Sequence, residues 1–261
     1  MKKLIYLPVC LGMLFFSAAC ENWFDVSPKS DVKAEDLFQQ ESGFRDVLTG
    51  VYSLMSAPES YGRQLSFGYV DVLAQYYNIS GNTHRYIKTK DYLYREPYDK
   101  EVLSTIWSRQ YKGIANLNAM LMFIDEQRGV FSGDEVYRIY KGEILALRGM
   151  LHFDMLRLFG PLTSELDKES IPYQTNSDQT VTPLLSGSEV IGLILDDLKN
   201  AVGLLKDTDP YFVEEEFSDT DLNYRRFRMN YFAAKGLMAR VQLWGGDKEK
   251  AAITAKEVIA E

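Results

Sequence analysis

The 261-residue sequence predicts an all-α-dominated fold of helical hairpins with long loops. Three observations predict it. Apolar side chains recur at i, i+3, i+4 and i+7 in successive stretches, the spacing that lines one face of a helix. A Gly-Pro pair stops the strongest of these stretches, and a Gly-Gly-Asp break divides the last into two helices. The sequence has only two cysteines, Cys10 and Cys20, so a hydrophobic core must hold the fold without internal disulfides.

Lys2 and Lys3 precede an apolar run from Leu4 to Phe16, followed by Ser17, Ala18, Ala19 and Cys20. This is the charged, apolar and small-residue order of a secretory signal. The run is about a dozen residues, short of the roughly 20 that a helix needs to cross a bilayer. Small residues directly before a cysteine predict lipidation of Cys20 and cleavage before it, although Ser17 stands where Leu is commoner. An ordinary signal cleaved at Ala19 is the alternative; it would leave Cys20 as a free thiol or paired beyond the chain end. The expected organisation is a signal peptide over 1–19, a lipid tether over 20–33 that contains Pro28, and a helical domain over 34–261.

Loss of Lys2 and Lys3 takes the formal charge from −8 to −10. No basic stripe is available to neutralise phosphates, so nucleic acid is excluded as a partner, and neutral molecules or protein are expected.

Phe44, Val47, Leu48, Val51, Tyr52 and Met55 form the first helical stripe. Trp107, Tyr111, Ile114, Asn118 and Leu121 form a second, and Ile144, Leu147, Leu151, Met155 and Leu158 a third. Gly160, expected in the left-handed conformation, and Pro161 end the third helix. Ser188–Leu205 is a fourth, weakened by Gly192 and Gly203. The segment from Met229 splits at Gly245 and Gly246, with Asp247 as the N-cap of the second half. Ala234, Leu237, Met238, Val241 and Leu243 are expected to face Ala251, Ala252 and Val258. This hairpin is similar to a tetratricopeptide unit, which needs stacked neighbours. Because the pattern stops at Glu261 without a cap, a truncated chain is expected.

The sequence offers little catalytic chemistry. Asp207, Asp209, Glu214, Glu215, Glu216, Asp219 and Asp221 cluster in a stretch expected to be a solvated loop, and no glycosidase-type pair stands out. Tyr224 and Asn230 occupy positions where a calcium loop needs Gly and Glu. His84 and His152 are 68 positions apart without a neighbouring cysteine, which leaves no zinc site or nucleophilic triad. His152 reads as a helix residue packed or capped locally. No enzyme, metal or cofactor is expected.

The distinctive stretch is "YYNISGNTHRYIKTKDYLYREPY", residues 76–98, which holds six of the 17 tyrosines. Sugars present apolar C–H faces to aromatic rings and hydroxyls to polar side chains, so Asn78, Asn82, Arg85, Tyr86, Asp91, Tyr92 and Tyr94 are the candidate ligand-binding residues. The competing reading is an amphipathic hairpin whose tyrosines pack on the helices. Alternation places Tyr92 and Tyr94 on one face.

Four stretches, in this order, resemble the SusD/RagB family of outer-membrane nutrient-uptake lipoproteins. They are "CENWFDVSP"; Gly50 and Tyr52 in "FRDVLTGVYSLM"; Trp107, Tyr111, Ile114 and Asn118; and "ALRGMLHFDMLRLFGPL" followed by "AAKGLMARVQLWGGD". The resemblance implies a surface-exposed lipoprotein of the outer membrane that binds a glycan or other nutrient and delivers it to a TonB-dependent, SusC-like transporter. It also implies that this chain is the N-terminal half, with the ligand face completed by an absent C-terminal half. The alternative function is a helical-repeat scaffold lipoprotein that binds only protein, which would bury the loop tyrosines instead of exposing them.

Replacing Cys20 by Ala is expected to move the protein from the membrane to the soluble fraction, since stable anchoring takes two acyl signals or their equivalent. Membrane retention of the variant, with no palmitate incorporated by the wild type, would refute the anchor.

Overall fold

The computed structural model describes residues 34–177, 180–209, 222 and 225–260. Cys20, the leader, the tether and the acidic positions from Glu214 to Asp221 lie outside them. The chain divides after Leu37 into two units. Helix α1 (Ala34–Leu37) is a single turn in the first.

The second unit carries α2 (Glu41–Ser56), α3 (Tyr69–Leu73), α4 (Pro97–Phe123), α5 (Asp134–Phe159), α6 (Gly187–Leu205), α7 (Tyr231–Trp244) and α8 (Lys248–Ala260). Among the described residues one small sheet accompanies them. Its strands β1 (Glu169–Pro172) and β2 (Leu184–Ser186) are antiparallel, with Glu169 opposite Ser186 and Pro172 opposite Leu184.

The predicted stripes mark the core. Phe44, Leu48 and Val51 of α2, Ile114 of α4 and Ile144, Leu147, Leu151 and Met155 of α5 are all buried. In α5 the expected single stripe understates the burial. Ile139, Tyr140, Ala146, Phe153 and Leu156 are also inside, because α4, α6 and α7 pack around this helix on different sides. Helix α4 starts at Pro97, ten residues before the first stripe position at Trp107; the proline suits a first helical turn, where its missing N–H has no partner to lose. Helix α6 opens on a capping box that the sequence reading overlooked: Glu189 N–H donates to Ser186 Oγ, and Ser186 N–H donates to the Glu189 carboxylate.

Two expectations at helix ends are corrected. Gly160 is extended, with φ −84° and ψ 179°, and is not left-handed. It is glycine for lack of space, since a Cβ there would stand 2.4 Å from Leu156 O and 2.9 Å from Ser170 Oγ. The positive-φ glycine at a helix end is Gly246, after α7, at φ 91°. Asp247 beyond it accepts from Lys250 N–H at 3.1 Å, as expected of the cap. Within the hairpin, Val241 and Ala251 are buried. Leu243, however, is 58% exposed and lines an open apolar groove with Ala252, Val258 and Ile259, so these residues do not fill the helix interface.

Two buried polar networks lock the packing. In the first, Glu143 of α5 accepts from Arg225 Nη1, from Arg228 Nε at 2.9 Å and from the Tyr52 hydroxyl of α2. Arg225 Nε also faces Asp209 Oδ2 at 3.4 Å, and Tyr231 N–H donates to that same oxygen at 3.0 Å. Met229 N–H donates to Tyr52 Oη at 2.8 Å. Two guanidiniums thus balance two carboxylates. Asp209, expected in a solvated loop, is instead fully buried because Arg225 pairs with it. Burial pushes the Glu143 carboxyl up, but the charges of Arg225 and Arg228 and the bonds from Tyr52 and Arg225 outweigh it and hold the group below the usual carboxylate range.

The second network fastens the chain after β1 to the helices. Arg148 of α5 donates to both oxygens of Asp197 of α6, each at 2.7 Å, and to Asn118 Oδ1 of α4 at 3.0 Å. Asn118, counted among the stripe residues, then donates to the carbonyls of Gln174 and Asn176. His152 accepts from Gln174 N–H at Nε2 (3.0 Å), so its Nδ1 carries the proton and donates to Arg148 O at 2.9 Å. The Tyr173 ring stacks on the imidazole, centroids 3.9 Å apart, and its hydroxyl donates to Asp197.

Arg225→Met is expected to remove one of the two guanidiniums that balance Glu143 and Asp209 in the core and to lower stability by roughly 3 to 5 kcal/mol. Lys168→Met removes an exposed pair with Glu165 and should cost under about 1 kcal/mol. Urea denaturation of both variants checks this; equal midpoints would contradict it.

His152 provides a pH test. Burial pushes its pKa down to about 3, with the Arg148 charge adding to the effect and the bond to the Arg148 carbonyl opposing it. The unfolded value is about 6.5, so between the two the unfolded chain binds the proton and stability falls as pH falls. A loss of about 2 kcal/mol between pH 7 and pH 5 is expected from this group. In His152→Gln that increment should be missing from denaturation curves at the two pH values, and an unchanged pH slope would overturn the assignment.

Candidate functional site

The tyrosine-rich stretch is neither a hairpin nor a strand. It is a chain of turns with a 3-10 turn over Thr89–Asp91, held between α3 and the first turn of α4. Asp99, buried at the start of α4, accepts from the Tyr69 hydroxyl of α3 at 3.0 Å and from Thr89 Oγ1 at 2.8 Å, so one carboxylate fastens α3 and the 3-10 turn of the loop to α4. Gln75 Nε2 donates to Lys90 O at 2.8 Å, Lys90 Nζ to Ile79 O at 3.1 Å and the Tyr92 hydroxyl to Leu73 O at 3.1 Å. Gln75 and Tyr92 take positive φ, 61° and 58°, a conformation that costs a non-glycine residue about 1 kcal/mol or more. Those hydrogen bonds offset it.

Tyr86 stands between two open depressions. Its hydroxyl donates to Gln64 Oε1 at 3.0 Å, its ring meets Tyr98 edge-on at 5.7 Å, and His84 lies 5.7 Å away on another side. Burial, with the neighbouring Tyr98 hydroxyl adding, pushes the Tyr86 hydroxyl up to about 12, against the pull of Arg63 and Arg85. It is therefore a neutral donor at ordinary pH. The first depression is lined by Phe67, Tyr77, Asn78, Ile79, Ser80, His84 and Tyr86. The second, reached through Gln64 and Tyr98, is lined by Glu59, Arg63, Gln64, Arg85, Tyr98, Glu101, Val102 and Thr105.

Of the predicted residues, Asn78 and Tyr86 meet in the first depression, and Arg85 enters the second. Asn82, Asp91, Tyr92 and Tyr94 are exposed but line neither. Tyr92 and Tyr94 are neighbours, with centroids 6.3 Å apart. Their rings are tilted by 56°, so they form two separate faces and not one flat platform. Phe67, Ile79, Ser80 and His84 were missed as site residues. Tyr77 was counted in the stretch without being singled out, and its hydroxyl donates to Phe67 O at 2.8 Å. The exposure of Phe67, at 59%, was the one signal beyond composition, and only the fold reveals it.

Rings with free faces next to amide, hydroxyl and imidazole groups suit a ligand that is apolar on its faces and hydroxylated at its rim. Among the described residues no group of three or more His, Cys, Asp or Glu is placed to hold a metal ion, and no helix is long and apolar enough to cross a membrane.

Over residues 22–243 the chain matches the SusD-like family described as starch-binding and associating with the outer membrane. A SusD-like protein of Formosa agariphila is 21% identical over 194 residues, which cover 70% of this chain and 36% of that protein. A SusD superfamily protein of Bacteroides vulgatus superposes with a TM-score of 0.66 at 24% identity, covering 85% of this chain and 47% of that one. A laminarin-binding SusD-like protein gives 0.61 at 20% identity, covering 84% and 43%. At these identities the structural likeness is one of fold, and the chain spans less than half the length of each of these relatives.

Proposed function

Because the chain belongs to the SusD-like family of starch-binding proteins associating with the outer membrane, we propose that it captures a glycan or other nutrient at the cell surface and delivers it to a TonB-dependent, SusC-like transporter. The lipid on Cys20 holds it at the outer membrane in this reading, and no catalysis is involved. The observation that carries the proposal is the cluster of exposed rings around Tyr86. A scaffold that binds only protein would be expected to bury them, whereas Phe67, Tyr76, Tyr77, Tyr92 and Tyr94 are each at least 45% exposed. The clamp at Asp99 keeps the loop in place before a ligand arrives, which lowers the ordering cost of binding.

The first depression holds the sugar in this reading. Tyr77 and Phe67 stack on the apolar face, while Asn78, Ser80 and His84 reach hydroxyls at the rim. Tyr92 and Tyr94 provide a second, separate contact.

Affinity electrophoresis in gels containing neutral polysaccharides, laminarin among them, tests the reading. An aromatic face contact contributes about 0.5 to 1.5 kcal/mol beyond burial, so Tyr77→Ala alone should weaken retention about two- to tenfold. Tyr77→Ala combined with Tyr92→Ala and Tyr94→Ala should abolish it, with a thermal melt only slightly lowered by the loss of the Tyr77 and Tyr92 hydroxyl bonds. Full retention of the triple variant would remove the loop from the site; lost retention with a much lower melting temperature would make the rings core residues.

A further inference from the structure

The second depression is built for a different chemistry from the first. Thr105 of α4 lines both it and a shallow neighbour formed by Leu54, Ser104, Ser108, Arg109 and Lys112, so the two make one groove. Glu101, Thr105, Ser108 and Lys112 follow one another at spacings of three and four, which places them on successive turns of the same helix face over about 16 Å. The charge along this groove is opposite to that of the chain. Glu59 is paired with Arg109 at 3.2 Å, whereas Arg63, Arg85 and Lys112 have no carboxylate within 4.0 Å among the described residues. Glu101, beside Arg63 and Arg85, is then the one acidic side chain without a paired cation along a groove with three unpaired cations, in a chain whose formal charge is −8.

Arg63 is the most telling of these. Its Nε is buried without an acceptor among the described residues, so the fold holds the guanidinium here at a cost and does not use that donor. Tyr86 links the two depressions: it lines the first, and its hydroxyl donates to Gln64 and its ring meets Tyr98, both of which line the second together with Arg63 and Arg85. Guanidiniums bind planar or tetrahedral oxyanions through paired N–H donors, and the serines and threonine alongside them suit sugar hydroxyls.

We propose that this groove receives an acidic sugar of the bound glycan, one bearing a carboxylate or sulfate, with Arg63 and Arg85 holding the oxyanion and Lys112 a second one further along α4. The inference rests on the glycan-capture reading and narrows its ligand to polyanionic glycans. A nucleic acid would need a continuous basic face, and this groove offers only three free cations beside hydroxyls.

The test uses the full chain at physiological salt and two matched pairs of polymers, polygalacturonate against its methyl ester and dextran sulfate against dextran, with laminarin alongside. At least one pair should show tenfold or stronger retention by the anionic member, and which pair does so separates carboxylate from sulfate. In Arg63→Gln/Arg85→Gln that ratio should fall close to one. Lys112→Gln, on the exposed face of α4, should lower it about threefold and serves if the double variant does not fold. Ratios near one for both pairs in the wild type overturn the inference, as do high ratios for both pairs that none of these variants changes, which would mark unselective attraction to polyanions. Retention on laminarin with ratios near one leaves glycan capture standing without the acidic sugar; no retention on any of the polymers overturns both.

Discussion

A carboxylate inside a helical core must be neutralised and hydrogen-bonded, or it destabilises the fold that contains it. Glu143 meets that requirement with partners drawn from far along the chain: Tyr52 is 91 residues before it, and Arg225 and Arg228 are 82 and 85 residues after it. The network therefore closes only when α2, α5 and the approach to α7 are all in place. Asp209 extends it to the end of α6, so four helices share one set of charges. Such pairs add little stability over well-packed apolar residues, but leaving one member unpaired costs several kcal/mol. The network thus selects one register for the chain entering α7.

The loop that carries the exposed rings follows the same rule on a smaller scale. Asp99 is a buried carboxylate whose Oδ1 accepts from two hydroxyls, those of Tyr69 and Thr89, while its Oδ2 has no partner among the described residues, and it ties α3 and the 3-10 turn to α4. Rings such as Tyr77 and Tyr92 spend their hydroxyls on backbone carbonyls of the α3 region, which leaves their faces for other contacts. A tyrosine anchored at its hydroxyl and bare on its ring is both ordered and available. This explains how a stretch without regular secondary structure can present a defined surface.

The helices were legible because burial imposes a period of 3.6, and Leu48, Ile114 and Leu151 sit where that period puts them. What escaped the pattern was polar. Asn118 occupied a stripe position and was taken for a packing residue, yet it is the bracket that holds the carbonyls of Gln174 and Asn176. Asp209 looked like one acid in a solvated run, because nothing local reveals that Arg225, 16 residues on, folds back over it. Gly160 was assigned to a backbone conformation when its reason is lack of space for a Cβ, against Leu156 O first and Ser170 Oγ across the fold as well. At the candidate site, composition singled out the stretch, and of the residues it chose, Asn78 and Tyr86 share one depression while Arg85 lines another. It could not tell which tyrosines share a depression, since the left-handed turns at Gln75 and Tyr92 redirect the chain.

Net charge and local charge have different consequences for ligands. A formal charge of −8 repels a polyanion at distances where screening is incomplete, which is the basis of the expectation against nucleic acid. At contact range, within the Debye length of roughly 8 Å, the neighbours of the groove dominate, and there the unpaired guanidiniums of Arg63 and Arg85 outnumber Glu101. An acidic chain with a small cationic groove discriminates better than a basic chain would. Long-range attraction for every polyanion is absent, so in the proposed reading only a ligand that also fits the rings and hydroxyls beside Tyr86 gains enough contact energy to stay.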